Sequence, residues 1–132
     1  MSTTKYIYGL GRRKGAVARA RLIKGKGSVT INDKDAKDYL CQNKALLAEL
    51  TDPLALANKQ KEFDVTVRVS GGGLAGQVDA IKLAISKALT IEAPDLRPVL
   101  KKAGLMKRDP REKERKKYGL RSARKKEQFS KR

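Results

Sequence analysis

Histidine is absent from the chain, and cysteine occurs once, at Cys41. A chain without imidazole offers neither a histidine-ligated zinc site nor a His-based general acid or base, and most hydrolase chemistry is excluded with them. A lone cysteine closes no internal disulfide. Nowhere do roughly eighteen apolar residues run together, so no membrane-spanning helix is expected. The opening MSTTKYIYGLGRRK likewise has no apolar run of the length a signal sequence needs. The expectation is a soluble, cytoplasmic protein.

Acids are missing from both ends of the chain far more than from its middle. Residues 1–26 hold eight Lys or Arg and no acid, residues 27–100 hold nine against ten acids, and residues 101–132 hold fifteen against four, within a net charge of +18. At 132 residues the chain has the length of one domain. A near-neutral middle between two cationic ends therefore describes a folded body with basic arms, the electrostatic footprint of a polyphosphate partner. A membrane surface fits less well, because neither basic segment carries the apolar stripe needed to insert.

Alternation of apolar residues predicts strands over residues 5–10, with Tyr6, Tyr8 and Leu10 on one face, and over 16–23, with Ala16, Ala18, Ala20 and Leu22 on one face. KGKG turns the chain into a third strand at 27–32, and the three form an antiparallel set with one face toward a core. GRRKG at 11–15 is expected to be a loop of three cations, and Arg19 and Arg21 carry charge onto the neighbouring strand. Short helices are expected within 33–58, with Asp52-Pro53 opening one of them. FDVTVRVS at 63–70 is the clearest strand: Phe63, Val65, Val67 and Val69 point inward, and Asp64, Thr66, Arg68 and Ser70 outward. A long helix follows over 74–91, its inner side marked by Leu74, Val78, Ile81, Ile85 and Leu89, with Asp79, Lys82, Ser86 and Lys87 on other faces. A last short helix is expected over 95–103, stopped by Gly104.

GGGLAG at 71–76 matches the dinucleotide-binding pattern G-x-G-x-x-G between a strand and a helix. That fingerprint requires a second parallel strand after the helix, and the sequence there, IEAPDLRPVLKKAG, reads as two prolines and another helix. The glycines have two other uses. Bare backbone at a helix start can meet a phosphate, and it can also let helix and sheet approach closely. The sequence leaves both open.

Beyond Gly104 apolar periodicity fades. The last twelve residues, RSARKKEQFSKR, contain six cations, one acid and one large apolar side chain, Phe129, too little apolar surface to order the segment by itself.

GLGRRK at 9–14, VRVSGGGLAGQ at 67–77, KKAGLMKRDPREKERKKYGLRSARKK at 101–126 and the terminal QFSKR occur in order over almost the whole chain. Together they resemble the bacterial small-subunit ribosomal protein S-nine family. The resemblance implies a two-layer α/β fold, a four-stranded mixed sheet with helices on one face, like the second domain of ribosomal protein S-five. It implies a globular body at 1–104 and an extended basic tail at 105–132. It also implies a place in the head of the small subunit, among neighbouring head proteins, against the 3′ major domain of 16S-type ribosomal RNA. The tail is then expected to reach the anticodon stem-loop of transfer RNA in the peptidyl site through Ser130, Lys131 and Arg132. Two positions depart from the family pattern: Leu10 stands where Thr is expected, and Glu127 where a proline commonly precedes QFSKR.

The reading is thus a structural RNA-binding protein with no catalytic residue, metal or cofactor. In the body the expected RNA contacts are Arg12, Arg13, Lys14, Arg19 and Arg21, together with Gly71, Gly72 and Gly73. In the tail they are Lys107, Arg108, Arg111, Arg115, Lys116, Lys117, Arg121, Arg124, Lys125 and Lys126, and Phe129 is expected either to stack on a base or to pack on a sugar. The alternatives are a nucleotide-dependent enzyme using the loop at 71–76, and a DNA-compacting protein that would dimerise and retain its affinity for plain duplex.

Overall fold

The computed structural model describes residues 5–108, 110, 111, 115–119 and 121–125. Strands β1 (Ile7–Arg13) and β2 (Ala16–Lys24) form an antiparallel hairpin whose register runs from Ile7 opposite Leu22 to Arg13 opposite Ala16. GRRKG is therefore not a loop. Gly11, Arg12 and Arg13 continue the ladder opposite Ala18, Val17 and Ala16, and only Lys14 and Gly15 turn the chain, with Lys14 in the left-handed region at φ 53°.

Strand β5 (Phe63–Ser70) lies antiparallel against β2, and β3 (Val29–Ile31) runs parallel to β5 on its far side. A two-residue strand β4 (Lys34–Asp35) closes the edge, so the sheet has five strands in the order β1-β2-β5-β3-β4. The expectation of four strands missed β4. It arises because Asn32 and Asp33 take left-handed φ values of 50° and 67°, a conformation these side chains tolerate, and fold residues 34–35 back onto β3. The expectation that β3 extends an antiparallel set is also corrected. Asp64 Oδ1 accepts the backbone N–H groups of Lys26, Gly27 and Ser28 at 2.9, 2.9 and 3.0 Å, which holds the turn at the β5 start and delivers the chain to the β5 edge.

Helices α1 (Ala36–Tyr39), α2 (Lys44–Leu50) and α3 (Asp52–Leu56) occupy the predicted helical stretch; Asn43 caps α2 by accepting from Ala45 N and Leu46 N. Asp52 is the first residue of α3 rather than its cap, which is Thr51. The long helix α4 (Leu74–Glu92) crosses β1 and β2; a 3₁₀ turn, Pro94–Leu96, leads into α5 (Arg97–Lys102). Val78, Ile81, Ile85 and Leu89 are fully buried, each contributing about 1.5–3 kcal/mol of apolar burial. Leu74, at the helix start, stays exposed.

Helices α2 and α3 cover the other side of α4, so Ser86 is buried too, its hydroxyl donating to the Lys82 carbonyl. The approach of α4 to β1 is set by small residues. A side chain at Gly9 or Gly11 would overlap the carbonyl oxygens of Ala84 or Ala80. It is thus the glycine face of β1 that meets the helix, and the face bearing Tyr6, Tyr8 and Leu10 is turned outward.

After α5 no described residue is helical or in a strand. Leu105 and Met106 nevertheless pack against the body's core, and the Arg111 carbonyl accepts from Arg13 Nη1 at 2.9 Å, so the first residues of the tail lie on the body. Among the described residues no helix is long and apolar enough to cross a membrane.

Candidate nucleic-acid interface

One face of the sheet holds the core, and the other carries cations. Strand alternation sends Ala16, Ala18, Ala20 and Leu22 inward and leaves Arg19 and Arg21 exposed; the same alternation in β5 buries Val65, Val67 and Val69 and exposes Arg68 and Ser70. Cross-strand register assembles these side chains into rows. Tyr8, Arg21, Thr66 and Thr30 stand side by side across four strands, and Leu10, Arg19 and Arg68 form the next row.

Arg21 lies over the Tyr6 ring, 4.9 Å from its centroid, within reach of a cation–π attraction. Arg68 Nη2 reaches Asp33 Oδ2 at 3.2 Å, with both side chains mostly in solvent, so the pair adds little stability. Asp33 is positioned by its neighbour: Asn32 Nδ2 donates to the Val69 carbonyl, and Asn32 Oδ1 accepts the Val69 N–H, both at 2.9 Å.

A second basic region lies where the tail leaves the body. A hollow of about 280 Å³ is lined by Arg12, Arg13, Lys82, Lys107 and Arg111, with Asp79 the one acid among the described residues. Arg13 points toward α4, its Nε 3.4 Å from Asp79 Oδ2, and Lys82 Nζ approaches the other carboxylate oxygen at 3.6 Å. Arg12 and Lys14 are exposed. The three cations expected to act as one loop are therefore divided: Arg13 ties strand, helix and tail together, and Arg12 and Lys14 face water.

The glycine loop is divided too. Gly71 and Gly72 have φ of 77° and 67°, and a side chain at Gly71 would overlap the Gly15 carbonyl, so their identity follows from backbone conformation and from packing on the β1–β2 turn. The Gly71 carbonyl accepts from Gln77 Nε2 at 3.1 Å, and Gln77 Oε1 accepts the Tyr39 hydroxyl at 2.7 Å, which locks the loop to α1 and α4. Gly73 is different: it caps α4 with open space where a Cβ would stand. Among the described residues no strand follows α4, so the second strand of a dinucleotide-binding unit is not built.

Of the tail residues, Lys107, Arg108, Arg111, Arg115, Lys116, Lys117, Arg121, Arg124 and Lys125 are exposed. Lys126, Phe129, Ser130, Lys131 and Arg132 lie outside the described residues. Sequence reasoning missed Tyr8 and Arg68 as members of the basic face. The outward phase of Arg68 was readable from alternation, but that of Tyr8 was not, because the inward positions of β1 are glycines, and neither was the adjacency of β2 and β5.

The family model for ribosomal protein S9/S16 matches residues 11–132. Small ribosomal subunit protein uS9 of Solidesulfovibrio magneticus is 52% identical over 128 residues, covering 97% of this chain and 98% of that protein. The protein of the same name from Desulfovibrio desulfuricans is 50% identical over 128 residues, with the same coverage.

Proposed function

The chain belongs to the ribosomal protein S9/S16 family, and we propose from that membership that it is a structural, non-enzymatic component of the small ribosomal subunit in the cytoplasm. The observation that carries the proposal is the length of the agreement: half of the residues are identical to small-subunit proteins from end to end, and the agreement spans body and tail alike. Its mechanism is binding and positioning. Arginines on the open sheet face and at the β1 edge grip ribosomal RNA phosphates through paired hydrogen bonds, and the tail lysines neutralise phosphates as movable point charges.

In finer detail, the body binds the 3′ major domain of the 16S-type RNA beside other head proteins. Its fold is of the ribosomal protein S-five second-domain type. The tail follows RNA toward the decoding centre, where Ser130, Lys131 and Arg132 meet the anticodon stem-loop of transfer RNA in the peptidyl site. At Gly73 a phosphate can approach the free N–H groups at the start of α4 without meeting a side chain. A net charge of +18, with most of it in the two terminal segments, supports the polyanionic partner.

The test is sedimentation of the native protein with small subunits. It should co-sediment with them at moderate salt and leave them only at high salt. Sedimentation as a free protein, or saturable binding of a dinucleotide, would overturn the proposal.

A further inference from the structure

Arg19 and Arg68 stand directly opposite each other on neighbouring strands of the open face. Like charges in that position are unfavourable in a sheet, and Asp33 offsets only the far side of Arg68. Among the described residues Arg19 has no hydrogen bond or ion pair. The two arginines form part of the wall of two adjoining hollows. One, of about 200 Å³, is lined by Tyr8, Arg19, Arg21, Thr66 and Arg68; the other, of about 440 Å³, runs on past Val17 and Ser70. Among the described residues no acid lines either. An anion between Arg19 and Arg68 would turn a repulsion into two charge-assisted contacts.

The hollow offers more than charge. Tyr8 is 44% exposed and stands in the row next to the Arg19–Arg68 pair, with Arg21 beside it lying over the Tyr6 ring. A duplex would use the arginines alone, because A-form RNA keeps its base faces stacked inside and leaves a surface tyrosine nothing to stack on. An unpaired nucleotide uses both groups: its phosphate meets the guanidinium pair, and its base lies on the ring.

We propose that the open sheet face is a binding site for an unpaired, unstacked RNA nucleotide, with its phosphate between Arg19 and Arg68 and its base on Tyr8. The inference rests on the reading of the chain as an RNA-binding protein, and it adds which face binds and what form of RNA it selects. A protein neighbour fits the face less well, since among the described residues the hollow is lined by cations and no acid.

The experiment uses the full chain and two RNA hairpins that differ by one bulged adenosine. Salt is set high enough to suppress the tail's counterion release, which leaves the salt-insensitive stacking term visible. Wild type should bind the bulged hairpin more tightly than the paired one. Tyr8→Ala should weaken the bulged complex about five- to a hundred-fold and leave the paired one unchanged, as expected for loss of one stacked base, and Tyr8→Phe should restore it. Arg19→Ala should weaken the bulged complex and lower its salt slope by about 0.7 to 0.9.

Equal affinity of wild type for the two hairpins, or Tyr8→Ala acting on both alike or on neither, overturns the inference while RNA binding itself stands. Loss of a head protein from subunits carrying Tyr8→Ala, with RNA affinities unchanged, assigns the face to a protein and also overturns it. No binding to either hairpin by wild type overturns the underlying RNA-binding reading instead. Melting curves of each variant separate these outcomes from misfolding. Should Tyr8→Ala prove unfolded, the Arg19→Ala and Tyr8→Phe arms decide.

Discussion

Asp64 shows how one side chain sets a strand's path. Its carboxylate gathers three successive backbone N–H groups, from Lys26, Gly27 and Ser28. Those bonds, first from Ser28 and then from Gly27, hold its pKa below the ordinary aspartate value and outweigh the opposing effect of partial burial. A carboxyl whose folded pKa is depressed stabilises the fold fully above its unfolded pKa near 4, and that stabilisation is lost as pH falls through the folded value. Asp64→Asn should therefore lower the melting temperature at neutral pH, and the gap to wild type should narrow on acidification below about pH 4. Melting curves from neutral pH down to about pH 2 read this directly. A gap that stays constant would assign the effect to shape and hydrogen-bonding capacity rather than to charge.

At the scale of elements, alternation decides which cations hold the fold and which face solvent. Arg12 and Arg13 are sequence neighbours on β1, yet Arg13 is mostly covered and bonded to Asp79 and the Arg111 carbonyl, whereas Arg12 is exposed. Arg13→Ala should cost about 1 kcal/mol in denaturant unfolding, in line with a partly exposed charged hydrogen bond. Arg12→Ala should leave stability unchanged and lower the salt slope of RNA binding by about 0.7 to 0.9 if it holds one phosphate. The reverse pattern would exchange their roles.

Much of this was legible in the sequence. Period-two runs gave β2 and β5 with the right faces, and apolar spacing gave α4 within a residue of its observed end. The faces of β1 were not legible, because its inward positions are the glycines Gly9 and Gly11, whose role is to let α4 come close rather than to contribute apolar area. Nor was the pairing order legible. The parallel placement of β3 depends on the Asp64 bonds, and β4 depends on two residues in the left-handed region, Asn32 and Asp33, which no periodicity marks. The Arg19–Arg68 pair followed from that order and stayed hidden with it.

For the whole molecule, charge is unevenly divided along the chain. The middle of the chain is near neutral and builds the core, and the last 32 residues hold fifteen Lys or Arg against four acids. Deleting Ser130, Lys131 and Arg132 removes two of those cations and no residue of the described core. The fold and the body's grip on RNA should survive, and the truncated protein should enter subunits normally. If the proposed contact is made, the hold on transfer RNA in the peptidyl site should weaken. A charge-assisted contact to phosphate is worth roughly 1.5–3 kcal/mol, or about one to two powers of ten in affinity before codon pairing compensates. Dissociation of transfer RNA from the peptidyl site of subunits carrying the truncated protein should therefore be faster than from wild-type subunits. Equal off-rates would leave the terminal SKR without a part in that contact, and subunits that fail to take up the truncated protein would mean that these three residues serve assembly instead.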